Sequence, residues 1–106
     1  MISIDHFAEV ELRIATIVEA ELHPNADRLL VLRVDLGDEQ RQIVAGIRGH
    51  YEPSALVGRQ VVVVANLAPA TLRGVESQGM LLAASGGDQL VLVRPDRPLP
   101  AGSAVR

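Results

Sequence analysis

Three features of the 106-residue sequence predict an all-β barrel. Apolar residues recur at every second position, turn-forming residues break those runs at short intervals, and only one stretch reads as helix. In the first run, Leu12, Ile14, Thr16, Val18, Ala20 and Leu22 point one way, and Glu11, Arg13, Glu19 and Glu21 point the other. The pattern predicts a long, half-buried strand with its even-numbered side inward. "HPNADR" supplies turn chemistry through Pro24, Asn25 and Asp27. Leu30, Leu32, Val34 and Leu36 mark the second strand, "GDEQ" a hairpin connection and "RQIVAGI" the third strand. "YEPSALVG" predicts a turn of helix within about residues 50–58, ended by Gly58. "QVVVVANL" is the fourth strand, and "GMLLAAS" and "QLVLV" form a hairpin around "GGD". The Pro-rich tail "RPDRPLPAGSAVR" is expected to be extended. One short helix between the third and fourth strands fits a five-stranded Greek-key barrel of the OB type, with terminal extensions, as one domain over residues 1–106.

In the fourth strand, Val61 and Val63 point opposite to Val62 and Val64. A strand apolar on both faces needs a cover on its outer side, either a terminal segment of the chain or another subunit.

Composition narrows the function. The chain has one Phe, one Tyr and no Trp, so the core is aliphatic and a base-stacking platform for single strands is lacking. The absence of cysteine removes disulfides, thiolate metal sites and cysteine nucleophiles together. His6, His23 and His50 are scattered without ligand spacing, and no Ser-His-Asp set or phosphate-cradling glycine loop is present. A non-enzymatic binding module without metal or cofactor is expected. With no signal segment and no apolar run near ~20 residues, a cytoplasmic location without membrane attachment is expected. Net charge is −3, with ten arginines, no lysine and thirteen acids. Its distribution is uneven. Residues 1–27 hold six acids and one arginine, whereas 41–75 hold Arg41, Arg48, Arg59 and Arg73 against Glu52 alone.

Four blocks carry a resemblance: "IDHFAEVELRIATIVEAELHPNADRLLVLRVDLG", "RQIVAGI", "LVGRQVVVVANL" and "LRGVESQGMLLAA". In order and spacing they resemble the tRNA-binding domain. That domain is found in free-standing structure-specific tRNA-binding proteins, as the C-terminal domain or β-subunit of methionyl-tRNA synthetase, and in related synthetase cofactors. The resemblance runs from Ile4 to about Val105. It implies an OB-fold, a homodimer in stand-alone forms, and recognition of the folded tRNA body without catalysis. It also implies an RNA-binding set. Asn66 precedes Leu67 after the fourth strand, Arg73 precedes Gly74, and Ser77 and Met80 lie in the Ser-x-Gly-Met block. Arg28 follows Ala-Asp, and Arg41 opens the block ending in Ala-Gly-Ile.

Physical readings of the same residues stand beside these. Arg73 offers a fork matched to phosphate, Asn66 and Ser77 can donate to phosphate or 2′-hydroxyl, and Met80 can lie against an unstacked base. Asn66 and Ser77 also suit turn geometry, Met80 begins an apolar strand and so reads as core, and Gly74 and Gly79 allow positive φ or a bulge. The chain departs from the family pattern at Ala68-Pro69-Ala70-Thr71, which carries no charge where basic residues are common; weaker binding is expected. A secretion-related chaperone branch of the same fold, binding apolar peptide segments, is the alternative. A domain cut from a longer methionyl-tRNA synthetase is equally compatible with the sequence.

Overall fold

The computed structural model describes residues 1–106. Its elements are α1 (Ile4–Phe7), β1 (Leu12–Leu22), β2 (Leu30–Asp35), β3 (Gln40–Ala45), α2 (Pro53–Leu56), β4 (Gln60–Val64), β5 (Ala70–Leu72), β6 (Val75–Ser77), β7 (Met80–Leu81), β8 (Ala83–Gly86), β9 (Gln89–Leu92) and β10 (Ala104–Val105). The main sheet runs β3-β2-β1-β4-β7, all antiparallel, with β10 added to β1. The meander β1–β2–β3 followed by a crossover through α2 to β4 is the barrel the sequence predicts. Its seam is drawn together by Gln78 and Ser77 against β3. The Gln42 N–H donates to the Gln78 side chain at 3.0 Å, and the Val44 N–H donates to the Ser77 hydroxyl at 2.9 Å.

β1 changes partner along its length. Leu12 to Thr16 pair with β4, and Thr16 to Leu22 pair with β2. A bulge between Ile17 and Glu19 bends the strand at the change. The bulge overturns the expected inward face. Ala15 and Ile17 are fully buried in the core, and only past the bulge does an even-numbered residue, Ala20, face inward. Ile14, read as inward, belongs to the opposite, outer side and is nevertheless 3 % exposed. Both sides of β1 are covered in its first half, so alternation there could not reveal which side was the core. In β2 the expected phase holds, with Leu30, Leu32, Val34 and Leu36 in the core.

The valine run is buried within the single chain, from 0 % exposed at Val61 to 8 % at Val64. The cover is therefore the terminal segment, and the strand gives no ground for a second subunit. After Val93, which accepts from the Val62 N–H, the tail crosses from β4 to β1. Gln60 holds both the N–H and the carbonyl of Leu99, and Ile14 exchanges backbone hydrogen bonds with Gly102 and Ser103. Arg13 staples this strap to the β2–β3 hairpin, donating to Gly102 O at 3.1 Å and Leu36 O at 2.9 Å. The two segments meet glycine to carbonyl. A Cβ on Gly37 would lie 2.5 Å from Ala101 O, and one on Gly102 would lie 2.1 Å from Leu36 O.

Three elements escaped the sequence reading. α1 is capped by Ser3, whose hydroxyl accepts from the His6 N–H at 3.1 Å. Between the fourth strand and Met80, where the sequence marks no strand, lies the hairpin β5–β6. "GMLLAAS" is split: Met80–Leu81 pairs with β4, while Ala83–Gly86 forms the expected hairpin with β9. No helix is long and apolar enough to cross a membrane.

Candidate nucleic-acid interface

The loop between β1 and β2 is held by a residue that sequence reasoning passed over. His23 is 2 % exposed. Its Nδ1 accepts from the Asn25 N–H at 2.9 Å, which leaves the ring hydrogen on Nε2, 2.9 Å from Leu72 O. A single imidazole thus closes the turn that Pro24 opens and ties it to the β5–β6 hairpin. The sequence showed His23 only as an isolated histidine beside a turn.

Around this loop three arginines from separate segments converge. Arg73 donates to Asn25 O at 3.3 Å. Arg48 donates to Ala26 O at 3.0 Å and, through its backbone N–H, holds Arg28 O at 3.4 Å. None of the three has a carboxylate within ion-pair distance. Asp27, exposed beside Arg28, is the acid of the loop itself. Arg48 belonged to the basic region of the sequence but to no family block, so only the folded chain reveals it as the brace between the other two.

Arg73 and Gly74 form the two-residue turn of β5–β6, with φ of 53° and 89°. Positive φ at both positions is the I′ geometry that matches strand twist. Glycine takes it freely, whereas arginine pays about 1 kcal/mol, and such strain concentrates at binding sites.

The other expected residues lie elsewhere. Arg41 sits apart from the loop group. It donates to Ala65 O and to Glu39 at 2.7 Å. This hydrogen bond holds the Glu39 carboxyl below its ordinary pKa of 4.5 and raises that of Arg41. The pair's contribution is present above the ordinary carboxylate range and is lost as pH falls through the lowered value; at the surface it is also screened by salt. Asn66 locks the N-terminal segment, accepting from the Glu11 N–H at 2.8 Å and donating to Glu9 O at 2.6 Å. Ser77 is 4 % exposed, and its hydroxyl bridges the Val44 N–H and Gly79 O. Ser77 holds its own turn through Gly79 O, whereas Asn66 ties the end of β4 to the distant N-terminal segment. Gly79, with φ 129°, passes so near Val64 O that a Cβ would lie 2.8 Å away.

Met80 is 46 % exposed, not core. Pairing with Val64 places it on the outer side of the sheet, while its neighbour Leu81 faces inward beside Val63. With Leu67, Leu72, Ile47 and Leu82 it lines an open apolar groove of about 550 Å³ next to the loop group. No cluster of His, Asp and Glu could hold a metal ion.

Residues 12–104 match the family described as "Putative tRNA binding domain". The chain is 58 % identical over 107 residues to a methionine–tRNA ligase of Deinococcus radiodurans, covering 100 % of this chain. It spans 14–16 % of the length of the curated relatives it matches. Among solved structures it is similar to a MetRS related protein from Pyrococcus horikoshii, with TM-score 0.93 and 34 % identity over 100 % of this chain and 98 % of that one. It is also similar to the chaperone CsaA of Bacillus anthracis, with TM-score 0.91 and 30 % identity over 100 % and 99 %.

Proposed function

Because the chain belongs to the tRNA-binding domain family, we propose that it recognises the folded body of tRNA through the arginine-ringed loop. It does so in the cytoplasm, on its own or as the accessory domain of a methionyl-tRNA synthetase. The observation that supports this most is the convergence of Arg28, Arg48 and Arg73, free of carboxylate partners, on one end of an acidic barrel. Arg28 and Arg73 reach phosphate, and Arg48 braces the carbonyls between them. Met80 and the adjoining apolar wall take an exposed base or the face of a ribose. Arg41, Asn66 and Ser77 act from behind, by fixing the seam and the strand ends that present this surface.

Arg73→Ala is expected to weaken binding of folded tRNA by about 1–3 kcal/mol and to lower the salt slope by about one unit. Met80→Ala lowers affinity with the slope unchanged, because an apolar contact releases no counterion. Titration of both variants over a salt series tests this; an unaltered slope for Arg73→Ala excludes its phosphate contact.

A second reading has its own support, the apolar groove beside Met80 and the likeness to CsaA. On that reading an extended apolar peptide lies in the groove. Unfolded polypeptide would then compete with tRNA, and Arg73→Ala would leave polypeptide binding intact. Wild-type protein that holds the polypeptide but shows no salt-dependent tRNA binding decides for this reading.

The homodimer rests on the chain's ends. Ile2, Ile4, Phe7 and Val10 are exposed, and a cleft of about 420 Å³ opens between α1 and β10. A self-complementary pairing of these ends covers that patch. Ile4→Asp is expected to convert a dimer to monomer in sedimentation equilibrium; wild-type monomer at micromolar concentration rules the dimer out.

A further inference from the structure

The ten arginines divide by partner. Arg13, Arg33, Arg41 and Arg97 lie within 4.0 Å of a carboxylate, and the other six do not. Of those six, Arg28, Arg48 and Arg73 form the loop group and Arg106 ends the chain. Arg59 and Arg94 remain, and they share a second location. Both border a cleft of about 310 Å³ whose walls include Gln60, Thr16 and Arg97, with Pro95 and Pro98 as its apolar side chains. Arg97's partner is its neighbour Asp96, 3.7 Å away, with both side chains more than four-fifths exposed, so that pair offers little competition to another anion. The cleft therefore presents three guanidinium groups against one solvated carboxylate.

The two locations are physically joined. Arg48 and Tyr51 form an isolated bridge at the turn that leads into α2. The Arg59 guanidinium lies 5.6 Å from the centre of the Tyr51 ring. The Tyr51 hydroxyl accepts from the Leu92 N–H at 3.1 Å, which anchors the ring to the strand that leads to Arg94. Arg59 is further positioned by its own hydrogen bond to Ala55 O at 2.9 Å. Arg73 and Arg48 hold carbonyls of the same loop, Arg48 bridges to Tyr51, and Tyr51 links to Arg59 and to the strand before Arg94, so the two locations are joined by an unbroken series of contacts.

We propose that Arg59, Arg94 and Arg97 form a second phosphate-contact site, continuous with the loop group, on which the RNA backbone extends beyond the point where it is recognised. This rests on the tRNA reading above and deepens it. The turn Ala68-Pro69-Ala70-Thr71 brings no cation to the loop group, and the cleft supplies three more.

The test is the double substitution Arg94→Gln/Arg97→Gln. Neither side chain makes a hydrogen bond to another part of the chain, so the fold is expected to survive, which thermal denaturation verifies. A control, Arg33→Gln/Arg106→Gln, gives the same net charge without touching the cleft. For folded tRNA, the cleft variant is expected to lose about 1.5–2 units of salt slope and roughly tenfold in affinity near 0.1 M salt, and the control little of either. Hydroxyl-radical footprints should shorten at one end only. If wild type binds tRNA with salt dependence and the cleft variant keeps the same slope, or if the control falls equally, the second site is refuted while the tRNA reading stands. If wild type shows no salt-dependent tRNA binding, both fall.

Discussion

Gly102→Ala is expected to cost about 3 kcal/mol and to loosen the C-terminal strap from the barrel. The residue has φ 91°, which a side chain resists, and its Cβ would lie 2.1 Å from Leu36 O and 2.8 Å from the Arg13 guanidinium. Neither obstacle is a flexible tip. Leu36 is core and 1 % exposed, and Arg13 is fixed by its bonds to Gly102 O and Leu36 O. Strained φ and overpacking each cost about 1–3 kcal/mol. Gly49→Ala separates the two contributions, because Gly49 has the same φ of 91° and open space around it. Only the backbone strain should appear there. Thermal denaturation of both variants, with hydrogen exchange at Ile14, whose N–H is held by Ser103 O, reads the result. Equal losses at the two glycines would show that the strap yields where it meets the hairpin.

His23→Ala is expected to be of similar size, and to reach function as well. The substitution leaves the part-buried Asn25 N–H and Leu72 O without their partner and removes a packed ring that is itself 2 % exposed. Two lost part-buried hydrogen bonds and the lost packing of the ring together are expected to cost about 3 kcal/mol. For a chain of this size that is a fall in Tm of roughly 10–20 °C. The two segments that carry Arg28 and Arg73 would no longer hold a fixed spacing. Affinity for tRNA should fall about tenfold or more with the salt slope retained, since every cation is still present. Loss of a full unit of slope would instead make His23 a direct phosphate contact, contrary to its buried position.

Much of the fold was legible in the sequence, because it rests on period-two patterns that physics enforces. In β2 the alternation marked Leu30, Leu32, Val34 and Leu36, and all four lie in the core. β1 failed the same treatment because the strap buries its outer side and the bulge at Val18 reverses its phase. β5–β6 was hidden because its turn is Arg-Gly, and arginine is a poor signal for positive φ. At the site, the family blocks pointed to Arg28, Arg41, Asn66, Arg73, Ser77 and Met80, of which Arg28, Asn66, Arg73 and Met80 are exposed while Ser77 is buried. Charge counting along the chain grouped Arg41 with Arg73, although Glu39 neutralises Arg41 on the seam. His23 and Arg48 could not be found this way. Their roles consist of hydrogen bonds to backbone carbonyls far off in sequence, which leave no trace in residue type.

The pairing of β10 with β1 sets an order of events in synthesis. Leu12 and Arg13 find their partners in Val105 and Ala104, more than ninety positions later. While the chain emerges from the ribosome, the β1–β2–β3 meander can form from neighbouring segments. One edge of β1 nevertheless stays open until almost the whole domain has been made. Contacts of such long sequence separation form slowly, and an unpaired strand edge recruits other chains. The nascent protein therefore spends its most vulnerable interval with Ile14 and the valines beside it uncovered. A variant cut before Arg97, which removes the end of the strap and β10, is expected to aggregate instead of persisting as a slightly smaller barrel.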